Sequence, residues 1–308
     1  MNKRLATVTI IVLILVLIGY IVVDVALKEE SVPISSQAAE GDTPGVTDQW
    51  IVSRVFEPGK GQLNAVAVST DGKIFLAGEP YIACYDPGFN LLWEYRTEMP
   101  VTALTVSGNN LYAAVQEIIL VLNTKGEKTD EWGPFENNSL ITSLACNGTY
   151  LAFADAATKT IFVLDMEGNV KSIIGKSGEP FIIPSAYFDI ALEGDNVLYA
   201  ANTGKRRIER RNIDGTILDF FGEEGTGPEA FFGCCNPSHF ALLPGGFITA
   251  EKGMNRIKIL DRGGRFVEYV SSVNNFVKPL PLDIASADGE IIFGANPADS
   301  KVYVFRRK

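Results

Sequence analysis

The chain has 308 residues, 46% hydrophobic and 21% charged, the balance of an ordinary globular protein rather than a disordered or fibrous one. Its formal charge of −10 excludes a nucleic-acid binder built on basic patches. Its single histidine excludes any metal site that needs two, and four cysteines are too few for a disulfide-dense scaffold.

Met1-Asn2-Lys3-Arg4 precedes an uncharged, mostly aliphatic run from Leu5 to Val23, ended by Asp24. At 1.5 Å per residue this run makes a helix of about 28 Å, close to the roughly 30 Å of a hydrocarbon core. Secretory hydrophobic regions are shorter, and the first small-residue cleavage site, Ser36-Gln37-Ala38, lies well downstream. Residues 1–27 therefore read as a cytoplasmic stub and an uncleaved transmembrane signal anchor. Lys3 and Arg4 before the span, against Asp24, Lys28, Glu29 and Glu30 after it, keep the N-terminus cytoplasmic. The rest of the chain is then expected on the periplasmic or extracellular side of the cytoplasmic (inner) membrane. Residues 28–48 are rich in Glu, Ser, Gln, Gly, Pro and Thr and cannot bury a core, so they read as a flexible linker.

From residue 49 onward a repeat organises the chain: a short apolar strand, a Gly or Asn turn, a second strand, a break, then a third strand ending in a polar hairpin. Ala65-Val66-Ala67-Val68, Asp71-Gly72 and Ile74-Phe75-Leu76-Ala77 open the first copy. Ala103-Leu104-Thr105-Val106 opens the second, Ser143-Leu144-Ala145 the third, Asp189-Ile190-Ala191 the fourth, His239-Phe240-Ala241 the fifth and Asp283-Ile284-Ala285 the sixth. Third strands end near 86, 123, 165, 212, 261 and 306, about 44 residues apart on average, a spacing typical of β-propeller blades. No helical stretch separates the strands, which excludes βαβ units. The sixth copy lacks a fourth strand, and Trp50–Phe56 is a strand with no copy of its own; it is expected to complete that blade. Residues 49–308 thus predict an all-β, six-bladed, monomeric propeller.

The segment Val197 to Ile208, ending at Asp214-Gly215, resembles an NHL repeat, as does Phe247 to Asp261 with its Arg256-Ile257 pair. Phe221-Gly222 through Gly227-Pro228 to Phe231 resembles the stretch between blades of that family. The likeness covers roughly residues 170–270. The family's aspartate at the end of the second strand is kept as Asp155 and becomes Asn202, Glu251 and Asn296 elsewhere. The resemblance implies a six-bladed propeller. Its known members include interaction modules, extracytoplasmic sensors and a few lyases or hydrolases with metal in the central channel.

Innermost strands line a propeller's channel, so equivalent positions on them form a ring. Aligning the copies puts Ala65, Ala103, Ser143, Asp189, His239 and Asp283 at one level. Asp189, His239 and Asp283, with Ser143 beside them, could bind a ligand, hold a single divalent metal ion or do acid–base work. They could equally serve structure, the carboxylates bonding backbone amides of neighbouring blades and the histidine satisfied within the fold. Gly233-Cys234-Cys235-Asn236-Pro237 brings two thiols toward His239; free thiols, a metal or redox role and a strained disulfide all fit. Cys84 and Cys146, within apolar strands, read as core. Lys205, Arg206, Arg207, Arg210 and Arg211 form a basic cluster, either a solvated face or a contact for acidic lipid or protein. Gly175-Lys176-Ser177 lacks the earlier glycine of a phosphate loop, and no nucleophile elbow or CxxC occurs.

Two functional classes follow: a membrane-anchored extracytoplasmic module, sensor or scaffold, that binds an envelope protein or small ligand; and a metal-dependent lyase or lactonase-like hydrolase with its site in the channel.

Overall fold

Strands pair only with their chain neighbours until the last sheet, where the first strand returns to join the final three. This computed structural model describes residues 49–272, 276 and 281–308, together with Val16. The predicted membrane span and linker lie, Val16 apart, outside the described residues. Among the described residues, no helix is long and apolar enough to cross a membrane. The chain divides into two compact units, 1–45 and 46–308, and every described strand belongs to the second.

Among the described residues there are six antiparallel four-stranded sheets, arranged as the blades of a propeller. Their innermost strands are Leu63–Val68, Val101–Ser107, Ile141–Cys146, Ile190–Glu193, His239–Leu243 and Asp283–Ala285. Each touches the next, and the sixth touches the first, so the ring is closed.

Burial within a blade follows from this packing. The second and third strands, such as Ile74–Gly78 and Tyr81–Tyr85, are buried along their whole length. Neighbouring blades cover both their faces, so these strands read as continuous apolar runs rather than alternating ones. The fourth strands, such as Leu91–Arg96, are largely exposed at the rim. Among the described residues there is consequently no single central core. Each apolar cluster lies in the seam between two blades: Phe75 and Ala77 of the first blade pack with Leu111 and Ala113 of the second, and Leu63 and Val66 of the first pack with Phe293 and Val304 of the sixth.

The rim has its own seam contact. At three seams the hairpin glycine before a fourth strand packs on an aromatic side chain from the fourth strand of the preceding blade. At Gly126 (φ +84°) an added Cβ would meet the Trp93 ring at 2.6 Å, and at Gly168 (φ +83°) it would meet Trp132 at 2.7 Å. Both the left-handed backbone and the lack of space therefore require glycine there.

Trp50–Phe56 is the outermost strand of the sixth blade, antiparallel to Lys301–Arg307. Trp50 is 3% exposed and packs with Ile292 and Phe305, while the Arg307 guanidinium lies 4.8 Å above its ring. Closure thus depends on a large side chain in the first strand of the ring. Trp50→Ala is expected to cost about 3–5 kcal/mol, lowering Tm by roughly 10 °C in a scanning-calorimetry comparison with the wild type. A change of only a degree or two would mean that this strand does not hold the ring shut.

Candidate functional site

The strand register brings the six channel positions to one level. Ala65, Ala103, Ser143, His239 and Asp283 lie opposite Ala77, Ala114, Ala154, Ala250 and Ala295 of their second strands. The Asp189 carbonyl accepts the Ala201 amide at 2.9 Å, completing the set. A small residue opposite each position leaves its side chain free to reach the adjoining blade.

Ser143 and Asp189 make that reach. The Ser143 hydroxyl donates to Asp189 Oδ1 and accepts the Ile190 amide at 3.2 Å. Asp189 Oδ2 accepts the Phe240 amide at 2.7 Å, and Asp283 Oδ2 accepts the Val66 amide at 2.8 Å. The third blade is thereby tied to the fourth, the fourth to the fifth, and the sixth to the first. At the joint between the fifth and sixth blades the contact is between side chains. His239 Nδ1 lies 3.5 Å from Asp283 Oδ1 and 3.8 Å from Asp189 Oδ2. Both separations exceed a good hydrogen bond, so the imidazole is flanked by carboxylates without being fixed by either.

The other half of the level is apolar. Ala65 and Ala103 are buried, and the joints there use the preceding residue: Asn64 Nδ2 donates to the Val101 carbonyl at 3.0 Å, and Thr102 Oγ1 to the Ile141 carbonyl at 2.6 Å. The channel cavity, about 280 Å³, therefore has an ionisable side at Asp189, His239 and Asp283, with Ser143 beside them, and an uncharged side where Val66, Ala103 and Leu104 are joined by Thr102 and Thr105.

Burial pushes the Asp189 carboxyl above its ordinary value, although His239 and the hydrogen bonds from Ser143 and Phe240 pull the other way. Burial likewise pushes Asp283 up, to about 6; His239 opposes the rise and Asp189 adds to it. The two acids compete for one desolvated space, so neither ionises freely.

The remaining candidates lie elsewhere. Cys234 and Cys235 are free thiols on the turn before His239 and do not line the cavity. Cys146, expected in the core, is half-buried on the channel wall, because it ends an innermost strand. Asn202 and Glu251 are buried within their blades. Asn202 accepts the Ile182 amide at 2.9 Å and donates to Glu209 at 2.8 Å, while Glu251 pairs with Arg256 at 2.8 Å and Lys258 at 3.0 Å. Burial brings the Lys258 ammonium down to about 8, with Glu251 opposing the fall. Each member of the basic cluster has an acidic partner within the chain. Arg211 is buried against Glu209; Arg207 pairs with Glu209 and Glu179, Arg210 with Asp219, Arg206 with Glu224 and Lys205 with Glu179.

The donors at the channel level do not fit a metal centre. The oxygens of Asp189 are taken up by Ser143 and two amides, Asp283 is tied to Val66, and the thiols lie off the cavity. Among the described residues, no group of three or more His, Cys, Asp or Glu side chains could hold a metal ion. One neighbour escaped the sequence reading: Tyr187, whose ring meets His239 edge-on at 6.4 Å. It lies in the long connection after Ile174, outside the strands that carry the repeat; only the length of that connection hints at it.

No family model matches the chain, and no curated protein matches it in sequence. Its fold is similar to solved structures. Virginiamycin B lyase from Staphylococcus aureus superposes with a TM-score of 0.59 at 15% identity, over 83% of this chain and 99% of that one. A streptogramin B lyase gives 0.59 at 15% identity, over 83% and 97%. A protein of unknown function from Bacteroides caccae gives 0.52 at 15% identity, over 68% and 82%. At these identities the likeness shows the fold alone, a six-bladed propeller.

Asp283 supplies a pH test. A carboxyl whose folded pKa lies above its unfolded value holds its proton more tightly in the folded state, so its contribution is present at low pH and lost as pH rises from about 4 through about 6. Wild-type Tm should therefore fall relative to Asp283→Asn across that window, measured by differential scanning fluorimetry. A difference independent of pH would show that Asp283 ionises without strain.

Proposed function

We propose that the chain is a membrane-anchored extracytoplasmic binding module, a sensor or scaffold of NHL-like type, whose channel takes a small ligand with a hydrogen-bond-donating end and an apolar body. The carrying observation is the two-sided cavity: carboxylates and imidazole on one wall, aliphatic and threonine side chains on the other. Its volume of about 280 Å³ is at the small end of small-molecule sites. The loosely held imidazole of His239 can turn toward a ligand at little cost, and the net charge of −10 favours approach of a cationic one. Membrane attachment is supported by the Leu5–Val23 run, with residues 28–48 as the tether.

A second reading has one specific observation in its favour. An imidazole between two carboxylates, one pushed up to about 6, is an acid–base arrangement of the kind a lyase or lactonase-like hydrolase uses. That reading is carried without a metal.

Asp189 is a poor probe of either, because its loss would unfasten three blades. His239→Ala is better, and its Tm should stay within about 2 °C of wild type, as a substitution that breaks no short hydrogen bond. Small amines and polyols that raise wild-type Tm should lose that effect in His239→Ala. Persistence of the shift in the variant, or no shift with any compound, would sink the channel reading. Mass spectrometry of the same mixtures detects turnover and would favour the enzyme. Fractionation of cells making the full chain should put it in the membrane, with the propeller open to external protease; a soluble chain would refute the anchor.

A further inference from the structure

Adjacent cysteines on an extended strand point to opposite sides, which keeps their sulfurs apart. Cys234 and Cys235 are not extended. They occupy a turn between Phe231 and Pro237, and their Sγ atoms are 3.2 Å apart. The backbone there already holds both thiols on one side. Gly233, with φ +79°, enters the turn, and its carbonyl accepts the Arg206 Nε–H at 3.1 Å. Asn236 fastens the other end, exchanging hydrogen bonds with the Lys252 backbone at 2.8 and 2.9 Å.

The two sulfurs are not equivalent. Cys234 is exposed, whereas Cys235 is half-buried and accepts the Ser185 hydroxyl at 3.0 Å. Burial pushes the Cys235 thiol up, the Ser185 bond working against it. Of the other cysteines, Cys84 is fully buried with its thiol raised to about 11, and Cys146 is half-buried in an innermost strand on the channel wall.

From this pair a short path leads to the channel. Ser185 belongs to the segment that carries Tyr187, and Tyr187 meets the His239 ring edge-on. Lys252, bonded to Asn236, places its ammonium 4.9 Å above the same Tyr187 ring. The turn also leads directly along the chain into His239.

We propose that Cys234 and Cys235 form a reversible dithiol–disulfide couple, oxidised to a vicinal disulfide by exchange with a low-molecular-weight disulfide, and that its state is passed to His239 through Ser185 and Tyr187. The exposed Cys234 gives up its proton and its thiolate attacks the external disulfide, forming a mixed disulfide and releasing one thiolate. Cys235 then loses its proton and attacks Cys234 Sγ, closing the S–S bond and releasing the second thiolate. Two protein thiols are oxidised and one external disulfide is reduced to two thiols. Closing the bond pulls Cys235 toward Cys234, changing its contact with Ser185 and so the segment that positions Tyr187. The couple stands whichever ligand the channel takes.

The test equilibrates the full chain against mixtures of oxidised and reduced glutathione, with intact and peptide mass spectrometry as readouts. The wild type should become lighter by two hydrogens, located in the peptide holding Cys234 and Cys235, and dithiothreitol should reverse this. Cys235→Ser, lacking the resolving thiol, should instead retain a glutathione adduct on Cys234. Cys234→Ser should react more slowly, on the order of tenfold, through the half-buried Cys235. Stable adducts on both cysteines of the wild type, or four free thiols under oxidant that modifies Cys235→Ser, would overturn the couple. Because His239 is the chain's one histidine, its imidazole signals can be read alone by NMR. They should shift on oxidation of the wild type and stay in place for Cys235→Ser. A disulfide that leaves them unmoved overturns the link to the channel.

Discussion

A blade that is apolar on both faces cannot exist alone. Strands such as Leu151–Asp155 and Thr160–Leu164 are buried along their whole length, and only a second blade on each side can cover them. Each seam is a small core shared by two blades, so every blade needs two neighbours and the series has to end by meeting its own beginning. The return of Trp50–Phe56 to the sixth sheet is the consequence: the covalent break in the ring falls within a blade, where hydrogen bonds between strands span it, rather than at a seam. The hairpin glycines against Trp93 and Trp132 repeat the same logic at the rim, where a side chain of one blade occupies the space a Cβ of the next would need.

Toward the axis the seams become narrow, and the innermost strands must satisfy polar groups as well as pack. The chain does this in two ways. Asn64, Thr102 and Thr142 donate from their side chains to carbonyls of the next blade. Ser143, Asp189 and Asp283 accept amides of the next blade instead. The second device brings carboxylates into a desolvated channel, which lifts their pKa values and leaves His239 between them. The chemical character of the cavity thus arises from residues that also hold the ring together. Structure and site share the same side chains, and His239 is the member least committed to the scaffold.

Variation between blades follows a related rule. Asp155 is short enough to bond nearby amides, accepting from Leu140 and Ala157 at 3.0 and 2.9 Å. Where the equivalent residue is Glu251, the longer carboxylate, equally buried, pairs with Arg256 and Lys258. Those cations in turn hold the connecting segment through the carbonyls of Thr226 and Ala230. A buried charge needs a partner, so one substitution in the repeat brings others with it. The position that resembles a family's marker residue is therefore a structural joint in this chain.

The blade count, the strand order within each blade and the level of the six channel residues were legible in the amino-acid sequence. All three depend on local repetition: alternating apolar strands, Gly turns and a recurring spacing survive without knowledge of the fold. The extra strand near residue 50 and the strand missing from the sixth copy also pointed to each other, and they pair. What the sequence could not decide was which partner a polar side chain takes across a seam. Whether Asp189 serves a ligand or the Phe240 amide, whether Arg211 faces solvent or Glu209, and whether two adjacent thiols face apart or together depend on side-chain direction after the ring has closed. Tyr187 lay beyond reach for the same reason, since it stands in a connection outside the repeating strands. Periodicity is a property of the chain, but the partner of a polar side chain is chosen by the seam it meets.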